Sequence, residues 1–299
     1  MTTFATFHVE KKIEDIKAIN ALNRSLRKQY HKLIELMFRS AKLFHPDCQR
    51  VVLSDTQSQF SYLDSSINVF RSEIAPDEPM MYSRLASQIN YVRAQGAYNN
   101  IVTLDSDILI NGNIDGIFEE DFDIALTYRA RKDMPINWGV MFISNRRPDR
   151  VIHFLEKILA VYKTTYFESD IFWCDQYALM DVIGMDTFFQ RESDWIEVEG
   201  ITIKLVPCEV YNYSPNDEAK GLLRPFVKEK ILHFKGNRKR FIELYWKAYL
   251  AQRENMRPRA LYDSFRNRLQ LAYAAFLEAG IKRKRRIMNT LGKIKQPAS

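Results

Sequence analysis

Residues 99–113 read NNIVTLDSDILINGN. Ile101 to Leu104 have the character of a buried strand, and the chain then sets Asp105 and Asp107 two positions apart before a second apolar run, Ile108 to Ile110. Two like charges at the end of a core strand repel unless something positive lies between them. On a strand-to-loop turn both carboxylates of an Asp-x-Asp pair can converge on one point. Their oxygens suit a hard divalent ion such as Mg²⁺ or Mn²⁺. An ion so held could grip a diphosphate and offset the charge that develops as it leaves. Alone, the pair fits a solvated acidic turn equally well, because so short a motif recurs by chance.

The surrounding pattern says what must position these acids. Residues 2–9 open as a short strand, and Ile13, Ile16, Ile19, Leu22, Leu26, Tyr30, Leu33 and Met37 then recur at helical steps. Strands are expected at RVVLSDT (50–56) and SINVFRS (66–72), then a helix at 80–96 closed by Gly96. After the Asp-x-Asp strand come FDIALTY (122–128) and WGVMFIS (138–144), a helix from Pro148 to about Tyr162, and another over 175–184. ITIKLVPCEVYNY (201–213) and KILHFKG (230–236) supply the last strands. Strands alternating with helices predict an α/β fold with a mostly parallel, doubly wound sheet. In such a sheet ligands sit beyond the carboxyl ends of the strands, where Asp105 and Asp107 stand.

From about residue 241 the pattern is helical. Leu261, Phe265, Leu269, Tyr273 and Phe276 share one face, followed by a basic cluster, Lys282 to Arg286. The division expected is 1–240 as the catalytic domain and 241–299 as a helical basic extension. That extension reads either as a packed helix with a solvated tail or, over 281–299, as a docking segment for an anionic membrane.

Composition narrows the class. A chain of 299 residues with 46% hydrophobic and 27% charged content can bury a full core. Cys48, Cys174 and Cys208 form no CxxC pair, so no zinc knuckle or disulfide framework is indicated. The first 20 residues meet charge early and contain no signal-type apolar stretch. No run of 18 apolar residues occurs. A reduced, cytoplasmic setting is expected, with peripheral membrane contact as its variant. The net charge of +7 is modest, and no nucleic-acid partner is expected.

Four further stretches accompany the acid pair in order: MYSRLA before it, INWGVMFIS and WCDQYAL after it, and HFKGNRK late. Together they resemble the retaining glycosyltransferases of family 8, the group that contains glycogenin and bacterial lipopolysaccharide galactosyltransferases. The resemblance covers residues 80 to about 240 and implies the GT-A fold. It implies that Asp105 and Asp107 bind the metal with His233 as third ligand, the imidazole favouring Mn²⁺ over Mg²⁺. Gly236 would let backbone approach the diphosphate, and Lys239 would place an ammonium on it, with Lys235, Arg238 and Arg240 adding positive field. Arg84 would contact donor sugar and phosphate. Asn137 and Gly139 match the family's Asn-x-Gly strand, where Asn would hydrogen-bond donor sugar hydroxyls and a nearby ligand would explain a glycine inside a strand. Asp175 would hold sugar hydroxyls, and Gln176 would face the anomeric carbon opposite the leaving group. The implied activity is transfer from a nucleotide-diphosphate donor, UDP-linked, to a carbohydrate, glycolipid or glycoprotein acceptor, with retention.

Departures from the family pattern fall on the donor. Arg240 and Phe241 replace its usual proline and tryptophan after the lysine, and Tyr128 and Arg129 stand where an acid is common, with Asp133 further along. The N-terminal uracil-binding acid has no counterpart, which leaves His8 and Asp55 as candidates. Rival readings are weaker. An aspartyl-phosphate phosphatase expects Thr or Val where Leu109 stands, and Gly112 does not restore the pattern. A sugar-phosphate nucleotidyltransferase expects a glycine-rich first loop, and HVEKKIEDIK has no glycine. A non-catalytic sugar- or membrane-binding protein on the same fold is the third alternative.

Overall fold

The computed structural model describes residues 1–10, 30–169, 171–190, 192–254 and 258–294, without the side chains of 258 and 284–294. The first helix expected from Ile13 therefore lies outside the description as far as residue 29; what is described is a helix over Tyr30–Phe44.

In chain order the strands are β1 (Thr2–Phe7), β2 (Gln49–Ser54), β3 (Asn68–Arg71), β4 (Asn100–Leu104), β5 (Ile108–Ile110), β6 (Ile124–Tyr128), β7 (Ile136–Ile143), β8 (Trp195–Val198), β9 (Ile201–Pro207) and β10 (Ile231–His233). Eight form one sheet in the order β3-β2-β1-β4-β7-β6-β9-β8. The β1–β2, β1–β4, β2–β3 and β6–β9 pairs are parallel, whereas β4–β7, β6–β7 and β8–β9 are antiparallel. β5 and β10 make a separate two-stranded ribbon.

The central strands β4, β6 and β7 are buried on both faces and read as nearly continuous apolar runs, whereas the edge strands β3 and β8 are partly exposed. Successive side chains point to opposite faces. Ala5, Ile101, Met141 and Ile143 join one core with residues of helices Met80–Gln95, Pro148–Val161 and Cys174–Ile183. Phe4, Val102, Val140 and Phe142 join the other with Ile34, Met37 and Phe38 of helix Tyr30–Phe44 and with Ile108, Ile110 and Ile231 of the small ribbon.

Three features differ from the sequence reading. The strand expected over 201–213 ends at Pro207, and Cys208–Tyr211 is a single helical turn. β8 carried no signal strong enough to be expected. The third concerns helix Pro258–Ile294, whose anticipated apolar face is solvent-exposed: Leu261, Phe265, Leu269, Tyr273 and Phe276 are 55–73% exposed. Among its described side chains the buried ones are Ser264, Asn267 and Leu271.

The chain divides into two compact units, one of residues 1–214 and 227–233, the other of 215–226 and 234–299. Residues 215–226 and 234–240, expected within the first domain, group with the second unit. In the second unit, helix Pro258–Ile294 packs on the segments Ala219–Leu222 and Trp246–Leu250. Among the described residues no helix is long and apolar enough to cross a membrane.

Candidate metal centre

β4 ends at Leu104 against the centre of the sheet, and Asp105 still donates its backbone N–H to the Gly139 carbonyl of β7, at 2.9 Å. Chain order runs from β1 outward to β3 and then returns to β4 on the other side of β1, so a topological switch point lies between β1 and β4. Open α/β sheets bind ligands at such points, outside the strand carboxyl ends.

The ribbon brings the third group in. β10 runs antiparallel to β5 with His233 opposite Ile108, the residue after Asp107. His233 Nε2 lies 3.0 Å from Asp107 Oδ1 and 3.5 Å from Asp105 Oδ2. One ligand atom from each of the three residues lies within 4.8 Å of the others. An octahedral ion with bonds of about 2.1 Å holds neighbouring ligand atoms about 3 Å apart, so modest contraction of this triad meets that requirement. Asp107 and His233 are buried and Asp105 half-buried.

Gly139 makes the approach possible. A Cβ built there would stand 2.4 Å from His233 Cε1 and 2.8 Å from Asp105 Oδ2. The expected reason for a mid-strand glycine is a nearby ligand; the neighbours that exclude a Cβ here are the side chains of His233 and Asp105. The β6–β7 register shifts between Leu126 and Tyr128, opposite Asn137 to Val140. Such bulges re-aim side chains beside functional sites. The carbonyl freed at Asn137 accepts bonds from Thr127 Oγ1 at 2.5 Å and Asn212 Nδ2 at 3.0 Å.

Arg84, buried on helix Met80–Gln95, links the triad to the next pair of expected residues. Its Nη1 donates to Asp105 Oδ1 at 2.8 Å, and its Nη2 pairs with Asp175. Burial alone would lower the Arg84 pKa, but Asp175 and then Asp105 more than offset it, and the guanidinium stays charged. Asp175, also buried, is pushed above the usual carboxylate range by desolvation, against the pull of Arg84 and the Gln176 N–H. It opens helix Cys174–Ile183, where the helix dipole favours its charge. Gln176 Oε1 accepts the Trp138 N–H at 3.1 Å. Asn137 Oδ1 accepts from Gly139 N at 3.1 Å and Asn212 Nδ2 at 3.0 Å, which leaves its amide nitrogen as the group to offer a ligand.

Arg84, Asp105, Asp107, Asn137, Gly139, Asp175, Gln176 and His233 thus form one connected cluster. Asp105 and Asp175 share the one guanidinium of Arg84. Arg84 Nε and Trp138 Nε1 are buried donors without a hydrogen-bond partner.

His8 and Asp55 follow β1 and β2. His8 packs edge-on to Phe60 and His31, with Tyr30 also near. Burial, then His31, push its pKa down to about 4, against Glu10 and Asp55. Asp55 Oδ1 accepts the backbone N–H groups of Ser58 at 2.7 Å and Gln57 at 3.3 Å, so this carboxylate shapes its own turn. Gly236 and Lys239 belong to the second unit, in the 3₁₀ turn Gly236–Phe241. Gly236 adopts φ +58° with open space around its Cα. Sequence reasoning missed Trp138, Thr127 and Asn212. Trp138 lay within a quoted motif; for the other two no sequence signal exists.

The sequence matches no protein-family model and no curated protein. By structure the chain is similar to the galactosyltransferase LgtC in complex with donor and acceptor sugar analogs, with a TM-score of 0.50, 10% identity, and coverage of 81% of this chain and 95% of that one. It is also similar to the glycosyltransferase GlyE of Streptococcus pneumoniae TIGR4, with 16% identity and a TM-score of 0.50. The apo form of GlyE gives 14% and 0.51. Each GlyE match covers 84% of this chain and 61% of the GlyE chain. The protein has the GT-A-type α/β fold of these glycosyltransferases.

Proposed function

We propose that this chain is a metal-dependent glycosyltransferase. Its donor is a nucleotide-diphosphate sugar, UDP-linked, its acceptor a carbohydrate, glycolipid or glycoprotein, and its outcome retention of anomeric configuration. One observation carries the reading: Asp105, Asp107 and His233 meet beyond the central strand, at the switch point of a glycosyltransferase fold. A divalent ion bound there would supply Lewis-acid stabilisation of a departing diphosphate, and the imidazole favours Mn²⁺ over Mg²⁺.

The chain's own side chains do the rest. Arg84 holds Asp105 toward the triad and Asp175 toward the sugar, so ion and sugar share one rigid fork. Asp175 accepts from sugar hydroxyls. Gln176, its carbonyl oxygen fixed on the Trp138 N–H, offers its amide nitrogen to the reacting sugar. Asn137 donates through its amide nitrogen, and the unpartnered donors of Arg84 and Trp138 suit a hydroxyl-rich ligand. His8, with Asp55, is assigned to the base and nucleoside by its place after β1. Gly236 and Lys239 are assigned to the diphosphate from their motif.

Calorimetric titration with UDP in the presence of Mn²⁺ tests the reading. Binding is expected for the wild type, and Asp107→Ala should weaken it about 100-fold or more, since a ligand is lost outright. Unchanged affinity in the variant would sink the proposal. Metal-dependent hydrolysis across a panel of nucleotide sugars, without acceptor, identifies the donor.

The exposed row on helix Pro258–Ile294 supports a second element of the reading, peripheral contact with an anionic bilayer. Leu261, Phe265, Leu269, Tyr273 and Phe276 face solvent on one helix, and exposed Lys282 and Arg283 follow. That is the composition of an interfacial helix. The side chains of 284–299 lie outside the described residues.

A further inference from the structure

We infer that Asn212 is a positioning residue that fixes the ring orientation and tautomer of His233 for metal binding; the inference rests on the metal-centre reading above. Asn212 closes the helical turn Cys208–Tyr211 and is 2% exposed. Its neighbour Tyr213 bridges Leu232, with Tyr213 N donating to Ile231 O at 3.0 Å and His233 N to Tyr213 O at 2.7 Å. This backbone pairing holds Asn212 beside the imidazole, and Asn212 Oδ1 meets His233 Nδ1 at 2.8 Å.

The hydrogen-bond inventory fixes which atom donates. The other end of the Asn212 amide faces three oxygens: Thr127 Oγ1 at 2.8 Å, Asn137 O at 3.0 Å and Asn137 Oδ1 at 3.0 Å. Carbonyl oxygens only accept, so the group facing them must be the NH₂. Oδ1 is then the atom turned to His233, and Nδ1 must carry the proton that bonds it. Nε2 is left facing the two carboxylates. An imidazole metal ligand needs this arrangement, because an outer acceptor on one nitrogen sets the other for the ion. The same amide ties the ring to the β6–β7 bulge that carries Asn137 and Gly139, so ligand and bulge are held as one unit.

Titration with Mn²⁺ alone, followed by calorimetry or electron paramagnetic resonance, provides the test. Asn212→Ala is expected to weaken Mn²⁺ binding about 10- to 100-fold in protein whose circular dichroism matches the wild type. Thr127→Val, which removes one of three oxygens behind the amide, should cost less than about threefold. Affinity within twofold of wild type in Asn212→Ala would overturn the inference. So would a Thr127→Val loss as large as that of Asn212→Ala, since the effect would then belong to the bulge. Wild-type protein that binds no Mn²⁺ would overturn the metal centre itself and this inference with it. Should Asn212→Ala not fold, long-range ¹H–¹⁵N spectra of the Mg²⁺-loaded wild type decide, with His233 assigned by comparison with His233→Ala. A proton on Nδ1 is the expected result, and a proton on Nε2 overturns it.

Discussion

Two glycines show how differently one residue type can be required. At Gly139 the requirement is space, because any Cβ would enter the volume of His233 and Asp105. Gly139→Ala should therefore displace a ligand side chain. Overpacking of this kind costs about 1–3 kcal/mol of stability, and Mn²⁺ affinity should fall at least about tenfold. Urea unfolding together with Mn²⁺ titration checks both, and a variant with wild-type metal affinity would show that the triad tolerates a methyl group. At Gly236 what is visible is backbone conformation, since φ is +58° and a Cβ would meet nothing within 4 Å. The Asp-x-Asp pair and Gly236 were both singled out by their motifs. That Asp105 and His233 occupy the space beside Gly139 became visible only with the His233 ring in place.

At the scale of elements, helix Pro258–Ile294 inverts its own sequence pattern. The apolar row, which under the packed-helix reading would be covered, is exposed, and the buried described side chains are Ser264, Asn267 and Leu271. Ser264 Oγ donates to Ala248 O at 2.6 Å and Arg268 Nε to the same oxygen at 3.2 Å. The π-helical turn Trp246–Leu250 departs from the regular helical ladder, and these donors meet one of its carbonyls. Glu278 further ties the helix by accepting the Ala219 N–H at 2.8 Å. Polar satisfaction thus chose the face. Leu271→Ala should cost about 2–5 kcal/mol, whereas Phe265→Ser with Phe276→Ser should shift stability by no more than about 0.5 kcal/mol each. The same double variant should lose co-sedimentation with phosphatidylglycerol vesicles that the wild type retains, as should truncation of 281–299. Undiminished sedimentation of both would remove the membrane reading.

For the molecule as a whole, acid stability offers a check on the surroundings of His8. The His8 pKa is about 4 in the folded chain and about 6.5 when unfolded. The unfolded state therefore binds more protons between these values, and stability falls as pH drops from about 6.5 to about 4, with no further change above that window. Partial exposure discounts the effect to the order of 1 kcal/mol. Thermal unfolding at pH 5 and pH 7.5 should show a smaller acid loss for His8→Phe than for the wild type. An equal loss would mean that His8 is not held neutral by its surroundings.

Sequence by itself determined the α/β alternation, the two-sided burial of β4 and β7, and the acid pair at a strand end. These are local properties, carried by runs of apolar residues and by charges two positions apart. Hydrophobic periodicity states which residues can be buried, never against what. Only the tertiary structure decided that β10 pairs with β5, which carries His233 to Asp107 across more than a hundred residues of chain. It alone decided the antiparallel β4–β7 and β6–β7 pairs and the bulge between β6 and β7. It alone placed Asn212, an unremarked residue in EVYNYS, behind the imidazole. Such groups are selected by geometry and hydrogen-bond satisfaction across distant segments, and no spacing along the chain encodes them.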